Sequence, residues 1–259
     1  MKNILLLLLI LLMQSSFSFS QTIEEISTDR PDRTDSPDII PFKFIQFESG
    51  LSYEKSTDGK GLNTDSYSLP ELMIRYGIFN NIEFRLAFEN SLESNSVSGL
   101  KENHFGLKPL EIGAKINLLQ EKYLIPKTSF IIEIAIPGTS SKRYDIKHVA
   151  PGLIFLFSNT ISENAELSYN LGINWNTDEK TKTGFYSVSF GLSAFNKTSF
   201  YIESYGVFTD RFLPDLRMDY GAVYALSKNI QLDISSGIGL TKVSPDFFLG
   251  LGFSIRLPK

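Results

Sequence analysis

The chain has 259 residues, and its 25 Lys+Arg against 29 Asp+Glu leave a formal net charge of −4. With no basic run, nothing in it suits nucleic acid. The lack of any cysteine excludes disulfides, thiolate metal sites and a lipoprotein anchor.

The first 20 residues read as a secretory signal peptide. Lys2 supplies the charge, Ile4 to Met13 is an unbroken apolar run, and Ser18-Phe19-Ser20 offers small residues for cleavage before Gln21. That run is too short to span a bilayer as a helix. Residues 21–42 form a separate N-terminal segment. Thr28-Asp29-Arg30-Pro31-Asp32-Arg33-Thr34-Asp35-Ser36-Pro37 carries closely spaced charges and two prolines, so it cannot be a membrane strand. Its expected place is the periplasmic mouth of a barrel or the lumen itself.

From residue 43 to 259 the chain reads as an antiparallel transmembrane β-barrel of about twelve strands. These fall at 43–55, 66–76, 81–90, 108–118, 128–137, 149–158, 164–175, 184–195, 198–208, 217–226, 229–240 and 247–257. The warrant is a period of two, which sends successive side chains to opposite faces. Ile82, Phe84, Leu86 and Phe88 oppose Glu83, Arg85, Ala87 and Glu89; Leu167, Tyr169, Leu171, Ile173 and Trp175 oppose Glu166, Ser168, Asn170, Gly172 and Asn174. In the last strand Leu249, Leu251, Phe253, Ile255 and Leu257 oppose Gly250, Gly252, Ser254 and Arg256. Segment 149–158 is apolar almost throughout and fits the alternation poorly. Lipid outside and polar side chains inside would produce the pattern.

Connections alternate in length. Gly77–Asn80, Asn159–Glu163, Asn196-Lys197 and Ser227-Lys228 are compact; Leu119–Lys127 belongs to the same set but is long for it. Ser91–Leu107, Gly138–His148, Asn176–Thr183 and Thr209–Leu216 are longer and more polar. Short periplasmic turns and long outer loops alternate in this way in outer-membrane barrels. An even strand number puts both termini on one side, so the last strand should pair with the first and leave no edge in lipid. The last strand also looks like the signal read by the barrel-assembly machinery, although the chain finishes Leu257-Pro258-Lys259 and not on an aromatic. Phe42, Phe44, Tyr53, Tyr76, Trp175, Phe195, Tyr224 and Phe247 lie near strand ends, where aromatic girdles form.

Thr28-Asp29-Arg30-Pro31-Asp32 with Thr34 and Ser36-Pro37, leading into Phe44-Ile45-Gln46-Phe47-Glu48-Ser49-Gly50, resembles the opening of a bacterial outer-membrane family labelled as transporters of the meta-pathway of phenol degradation. Leu69-Pro70-Glu71-Leu72, Arg75-Tyr76-Gly77, Ile82-Glu83-Phe84-Arg85, Leu110-Glu111-Ile112-Gly113-Ala114-Lys115, Ile136-Pro137-Gly138 and Gln231-Leu232-Asp233 extend the likeness. The resemblance implies a porin-like channel or transporter of the Gram-negative outer membrane for small molecules, with aromatic or other hydrophobic compounds suggested by the label alone. Its partners would be outer-membrane lipid, the assembly machinery during biogenesis and an unidentified solute.

The candidate lumen-lining residues are Gln46, Glu48, Arg75, Glu83, Arg85, Glu111, Lys115, Glu133, Glu166, Glu203, Asp233 and Arg256. In a small barrel such charges either form a cross-strand network that fills the lumen or line a path that selects solutes. Asp29, Asp32, Asp35 and Asp38 recur every third residue without the spacing of a calcium loop, so ion pairing with Arg30, Arg33 or lumen arginines is the expected fate. The only histidines, His104 and His148, lie in expected loops; Ser140 and Ser141 near His148 lack a nucleophile-elbow context. No catalytic residue, metal or cofactor is expected. The alternative reading is a non-conducting barrel that binds a surface partner through its loops.

Overall fold

A computed structural model describes residues 25–58, 61–98, 100–209 and 213–257. The expected signal peptide therefore lies outside the described residues. Among the described residues all regular structure is β. Strands β1 (Ile45–Thr57), β2 (Leu62–Phe79) and β3 (Ile82–Val97) open the barrel, and β4 (Leu100–Leu107) and β5 (Glu111–Leu119) follow. Then come β6 (Lys127–Ala135), β7 (Ala150–Ser162), β8 (Ala165–Asn176) and β9 (Thr181–Phe195). The circuit ends with β10 (Thr198–Thr209), β11 (Asp215–Ser227), β12 (Ile230–Gly239) and β13 (Phe247–Leu257).

Each strand pairs antiparallel with its neighbours, and β13 pairs with β1 from Leu257 against Ile45 to Phe247 against Lys55. The seam expected from the final alternating strand is thus a full ladder. The thirteen segments make twelve walls, because β4 and β5 are one interrupted strand lying beside β3. β4 pairs with Asn90–Val97 and β5 with Ile82–Ala87. The break falls at Lys108-Pro109-Leu110, where proline cannot donate to a ladder, while the Lys108 N–H still reaches the Glu89 carbonyl.

The polar and apolar faces are disposed as a lipid-embedded barrel requires. Leu249, Leu251 and Phe253 of β13, Ile234 of β12, Ile202 of β10 and Leu192 of β9 are exposed on the outside. Their polar neighbours, among them Ser254, Asp233, Glu203 and Ser189, are buried inside. A soluble barrel would turn these faces round. Phe42, Tyr76, Phe195 and Tyr224 lie exposed near the short-turn rim, and Tyr53 packs against Tyr67 and Phe247 towards the other rim.

Two expectations about loops need correction. Ser91–Leu107 is not a loop: β3 runs on to Val97 and returns as β4. This hairpin has no apolar alternation because it rises past the lipid belt, with Ser94, Asn95, Glu102 and Asn103 along it. Asn176–Thr183 likewise shrinks to the turn 177–180 between β8 and β9. Length at this rim is carried by overhanging strands as much as by loops; β2 has 18 residues and β6 only 9. The apolar stretch in β7 also finds its reason. Ile154 and Leu156 point inward and pack with Ile131 and Phe185, so this sector of the lumen is apolar on both faces.

Candidate functional site: a charged lumen filled by the N-terminal segment

Residues 26–41 run inside the barrel as a loop with both ends at the short-turn rim. Ile26 donates its N–H to the Lys228 carbonyl in the β11–β12 turn, and at the other end Lys43 and Phe44 exchange backbone hydrogen bonds with Gly77 beside the β2–β3 turn. The bend between them, near Arg30 to Thr34, reaches the middle of the barrel. Prolines and consecutive polar groups keep the segment out of any ladder, so its backbone is satisfied by lumen side chains. Asp29 N–H donates to Glu48 Oε2 at 2.9 Å, Arg33 N–H to Glu203 Oε2 at 2.8 Å and Ile40 N–H to Glu83 Oε2 at 2.9 Å. Ser129 Oγ donates to the Pro37 carbonyl at 2.5 Å.

The centre of the contact is Asp29. Its carboxylate meets Arg85, Lys115 Nζ at 2.9 Å and Arg75 Nη1 at 3.3 Å. Arg75 also binds Glu83 through Nε (2.8 Å) and Nη2 (3.0 Å), and Glu48 at 2.8 Å. Three cations from β2, β3 and β5 thus hold three carboxylates, one of them brought by the segment. Arg75, Glu83 and Lys115 have no solvent exposure. Such charges cannot be buried alone, and the docked segment both covers them and supplies one of the three carboxylates. Burial by itself would raise the Asp29 carboxyl, but Arg75, Lys115 and Arg85 together hold it far below the usual carboxylate range.

The other aspartates of the segment divide. Asp38 pairs with Lys127, which outweighs its burial and lowers its carboxyl. Asp35 lies 3.3 Å from Arg85, yet burial and the Asp29 charge push it up to about 7. Asp32 is pushed well up by burial and by Glu203. Arg30 binds Glu71 at 2.9 Å and approaches Asp233 at 3.7 Å. Arg33 makes no ion pair among the described residues; its side chain is open to the lumen.

Nine of the lumen candidates therefore sit in or beside this assembly or close to its base. Gln46 donates to Glu48 (2.7 Å) and to the Ser27 carbonyl (2.8 Å), and Glu203 also takes the Thr34 hydroxyl. Arg256 lies lower, on Asn229 and the Lys228 carbonyl, with the Phe44 ring 5.8 Å away. Glu111, Glu133 and Glu166 share the inner face of their strands but make no ion pair with the network among the described residues; Glu166 takes a 2.8 Å bond from Ser168. Several contacts escaped the sequence reading. Asp219, opposite Glu203, was detectable from its alternation with Arg217 and Gly221. Ser129, Ser187, Tyr201 and Tyr205 carry no sequence signal that they face a segment. Of the two histidines, His104 lies 3.3 Å from Glu102 and His148 bonds Asp178 at 2.7 Å; neither is bonded to a serine among the described residues.

Above the bend is a cavity of about 320 Å³. Arg30, Asp32 and Arg33 form its floor, with Glu71, Glu111, Asp219 and Phe248 among its walls.

These features define a class: a twelve-walled membrane β-barrel whose lumen holds its own N-terminal segment. The family model described as "Putative MetA-pathway of phenol degradation" matches residues 28–257, and the chain belongs to that family. Among solved structures, an outer-membrane channel from Pseudomonas putida F1 is similar, with a TM-score of 0.67 and 13% identity over 89% of this chain and 100% of that one. The translocator domain of the autotransporter NalP from Neisseria meningitidis gives 0.55 and 10%, over 85% of this chain and 90% of that chain. The NanC porin gives 0.52 and 9%, over 82% of this chain and all of the other. At these identities the likeness is one of fold. No curated protein matches the chain significantly.

Proposed function

We propose that this protein is an outer-membrane channel for small solutes whose N-terminal segment closes the lumen from the periplasmic side. The observation that carries the reading is the pairing of a polar, cavity-bearing lumen with a segment held there by reversible polar contacts. A purely structural barrel could fill its lumen with strand side chains, as small barrels do. Here Arg75, Arg85 and Lys115 pair with wall carboxylates and also hold an aspartate on a separate stretch of chain. The cavity above suits small molecules, being near the lower end of ordinary ligand sites. Delivery would use the N-terminal signal and the barrel-assembly machinery. The family label and its phenolic compounds bear on solute identity only as a family association.

The chain has no cysteine, which makes a direct test available. Thr34 Oγ1 and Ser187 Oγ are 2.8 Å apart, so Thr34→Cys with Ser187→Cys should crosslink the segment to β9. In planar bilayers the oxidised protein is expected to be silent and the reduced protein to show discrete openings. A barrel equally silent when reduced and when residues 22–40 are deleted would overturn the channel reading. It would favour the non-conducting, surface-interaction alternative.

A further inference from the structure

We propose that Tyr201 completes the closure of the lumen: with the segment docked, its ring is the stopper between a cavity on the outer side and one on the periplasmic side. This rests on the channel reading above and names a gating residue for that same path. The second cavity, of about 470 Å³, lies at the short-turn rim between Ile26 of the segment and the ends of β9–β12, with Ser199, Val223 and Gln231 in its wall. The cavity above the bend reaches Asp219 and Ser235 of the same sector. On β11 and β12 alternate residues face inward. A single inward position therefore separates the two cavities on each strand, Gly221 on β11 and Asp233 on β12. Directly across from Gly221 stands Tyr201 of β10.

Neither of the two separating positions closes the gap itself. Gly221 has no side chain, and Asp233 leans away to β13, where a Cβ added at Gly252 would lie 2.3 Å from its carboxylate oxygens. Tyr201 fills the place instead. A Cβ at Gly221 would stand 2.4 Å from its ring atom Cε1 and 2.8 Å from Cζ. The residue is only 9% exposed, with Asp32 of the segment near it. On either side the segment is bonded to the wall directly: Thr34 to Ser187 of β9, the Arg33 N–H to Glu203 of β10, and Thr28 to Gln231 of β12. Over β11 the ring comes between. A tyrosine ring is several times the roughly 30 Å³ that one water takes in the liquid, so its loss would join two polar cavities through a wet gap. On its other flank Tyr201 pairs with Gly191, where the nearest atom to an added Cβ is the Glu166 carbonyl oxygen, at 4.0 Å. That free space lets the ring turn aside once the segment moves, so the stopper need not obstruct the open path.

The test uses the Thr34→Cys, Ser187→Cys protein with its segment crosslinked, which separates the stopper from the segment. In planar bilayers in KCl, adding Tyr201→Ala is expected to give discrete openings that survive oxidation, smaller than those of the reduced protein, while the oxidised parent stays silent. Tyr201→Phe in the same background should be silent when oxidised, because the ring and not the hydroxyl fills the slot. Should Tyr201→Ala fail to form a heat-modifiable barrel, Tyr201→Leu, shorter than the ring, is expected to leak in the same sense. A folded Ala or Leu variant that is silent when oxidised yet opens when reduced would overturn the stopper and leave the channel standing. So would an oxidised parent that already conducts. A Tyr201→Phe protein that leaks as much as Tyr201→Ala would overturn the role given to the ring. Silence of both the reduced and the segment-deleted proteins would overturn both readings together.

Discussion

Asp29 is the residue on which docking turns, because it is where the segment's charge enters a dry network. With its carboxylate, three cations face three carboxylates; without it, Arg75, Arg85 and Lys115 face only Glu48 and Glu83, apart from the looser Asp35. Breaking a buried pair by removing one partner costs about 3–5 kcal/mol. Asp29→Asn keeps the shape and removes the charge, so it should free the segment and raise open probability in bilayer recordings. Asp35 adds a pH dependence of opposite sign. Its carboxyl, raised by burial and by Asp29 against the pull of Arg85 and Lys115, with Glu133 also nearby, is pushed up to about 7. A carboxyl raised on docking is stabilising while protonated, and that contribution is lost as pH rises from the ordinary aspartate range through about 7. The slope is about 1.4 kcal/mol per pH unit for one proton. Asp29, held low, contributes throughout this window and fails only in stronger acid. Opening should therefore increase between pH 5 and pH 8, and Asp35→Asn should flatten the rise; an unchanged profile in that variant would show that another group titrates.

At the scale of the element, legibility followed the lipid. Where a strand crosses hydrocarbon on one side and polar groups on the other, as in β8, β12 and β13, alternation located it and assigned its faces. Above the lipid belt both faces are wet, so the β3–β4 hairpin has ladder pairing but no period to betray it. In β7 the inward residues are apolar because they cover one another, and the period vanishes for the opposite reason. The segment's own seat depends on a detail of the same kind. A Cβ added at Gly77 would lie 2.2 Å from the Pro41 carbonyl oxygen and 2.6 Å from that of Ile40. Both are backbone atoms and cannot swing aside. Gly77→Ala should thus displace the return arm where it enters β1, at a cost of about 1–3 kcal/mol, seen as a lower midpoint in urea titration of the detergent-solubilised barrel. At Gly50 the nearest atoms to an added Cβ are those of the Arg30 guanidinium, a side-chain end that can shift at the expense of its pairing with Glu71, and the effect of Gly50→Ala should be smaller.

For the whole molecule, the barrel and its contents were unequally visible in sequence. Closure by the last strand could be argued from strand number and edge protection, and the charged set could be placed inside. Alternation says which face a charge is on; it says nothing of what it meets there. Glu48 and Glu83 are cross-strand partners of Arg75, and together with Glu203 they also bind backbone N–H groups of residues 29–40, which no alternation announces. This makes the stability of the assembly separable into barrel and segment. With the segment removed, water enters the lumen and solvates Arg75, Arg85 and Lys115, so the penalty for unpaired buried charge does not apply in full. Deleting residues 22–40 should therefore leave a folded, membrane-inserted barrel that still migrates faster unheated than heated in a detergent gel. Asp29→Asn should cost less stability than its burial suggests, since expelling the segment relieves it. Asp29 is lost with the deletion, so the informative combination is the deletion with Arg75→Met. If the segment exists to neutralise the network, Arg75→Met should destabilise the intact protein strongly, by orphaning Glu48 and Glu83, and the deleted barrel little. Equal losses in both backgrounds would mean that Arg75 braces the wall of the barrel itself and that the segment is only its guest.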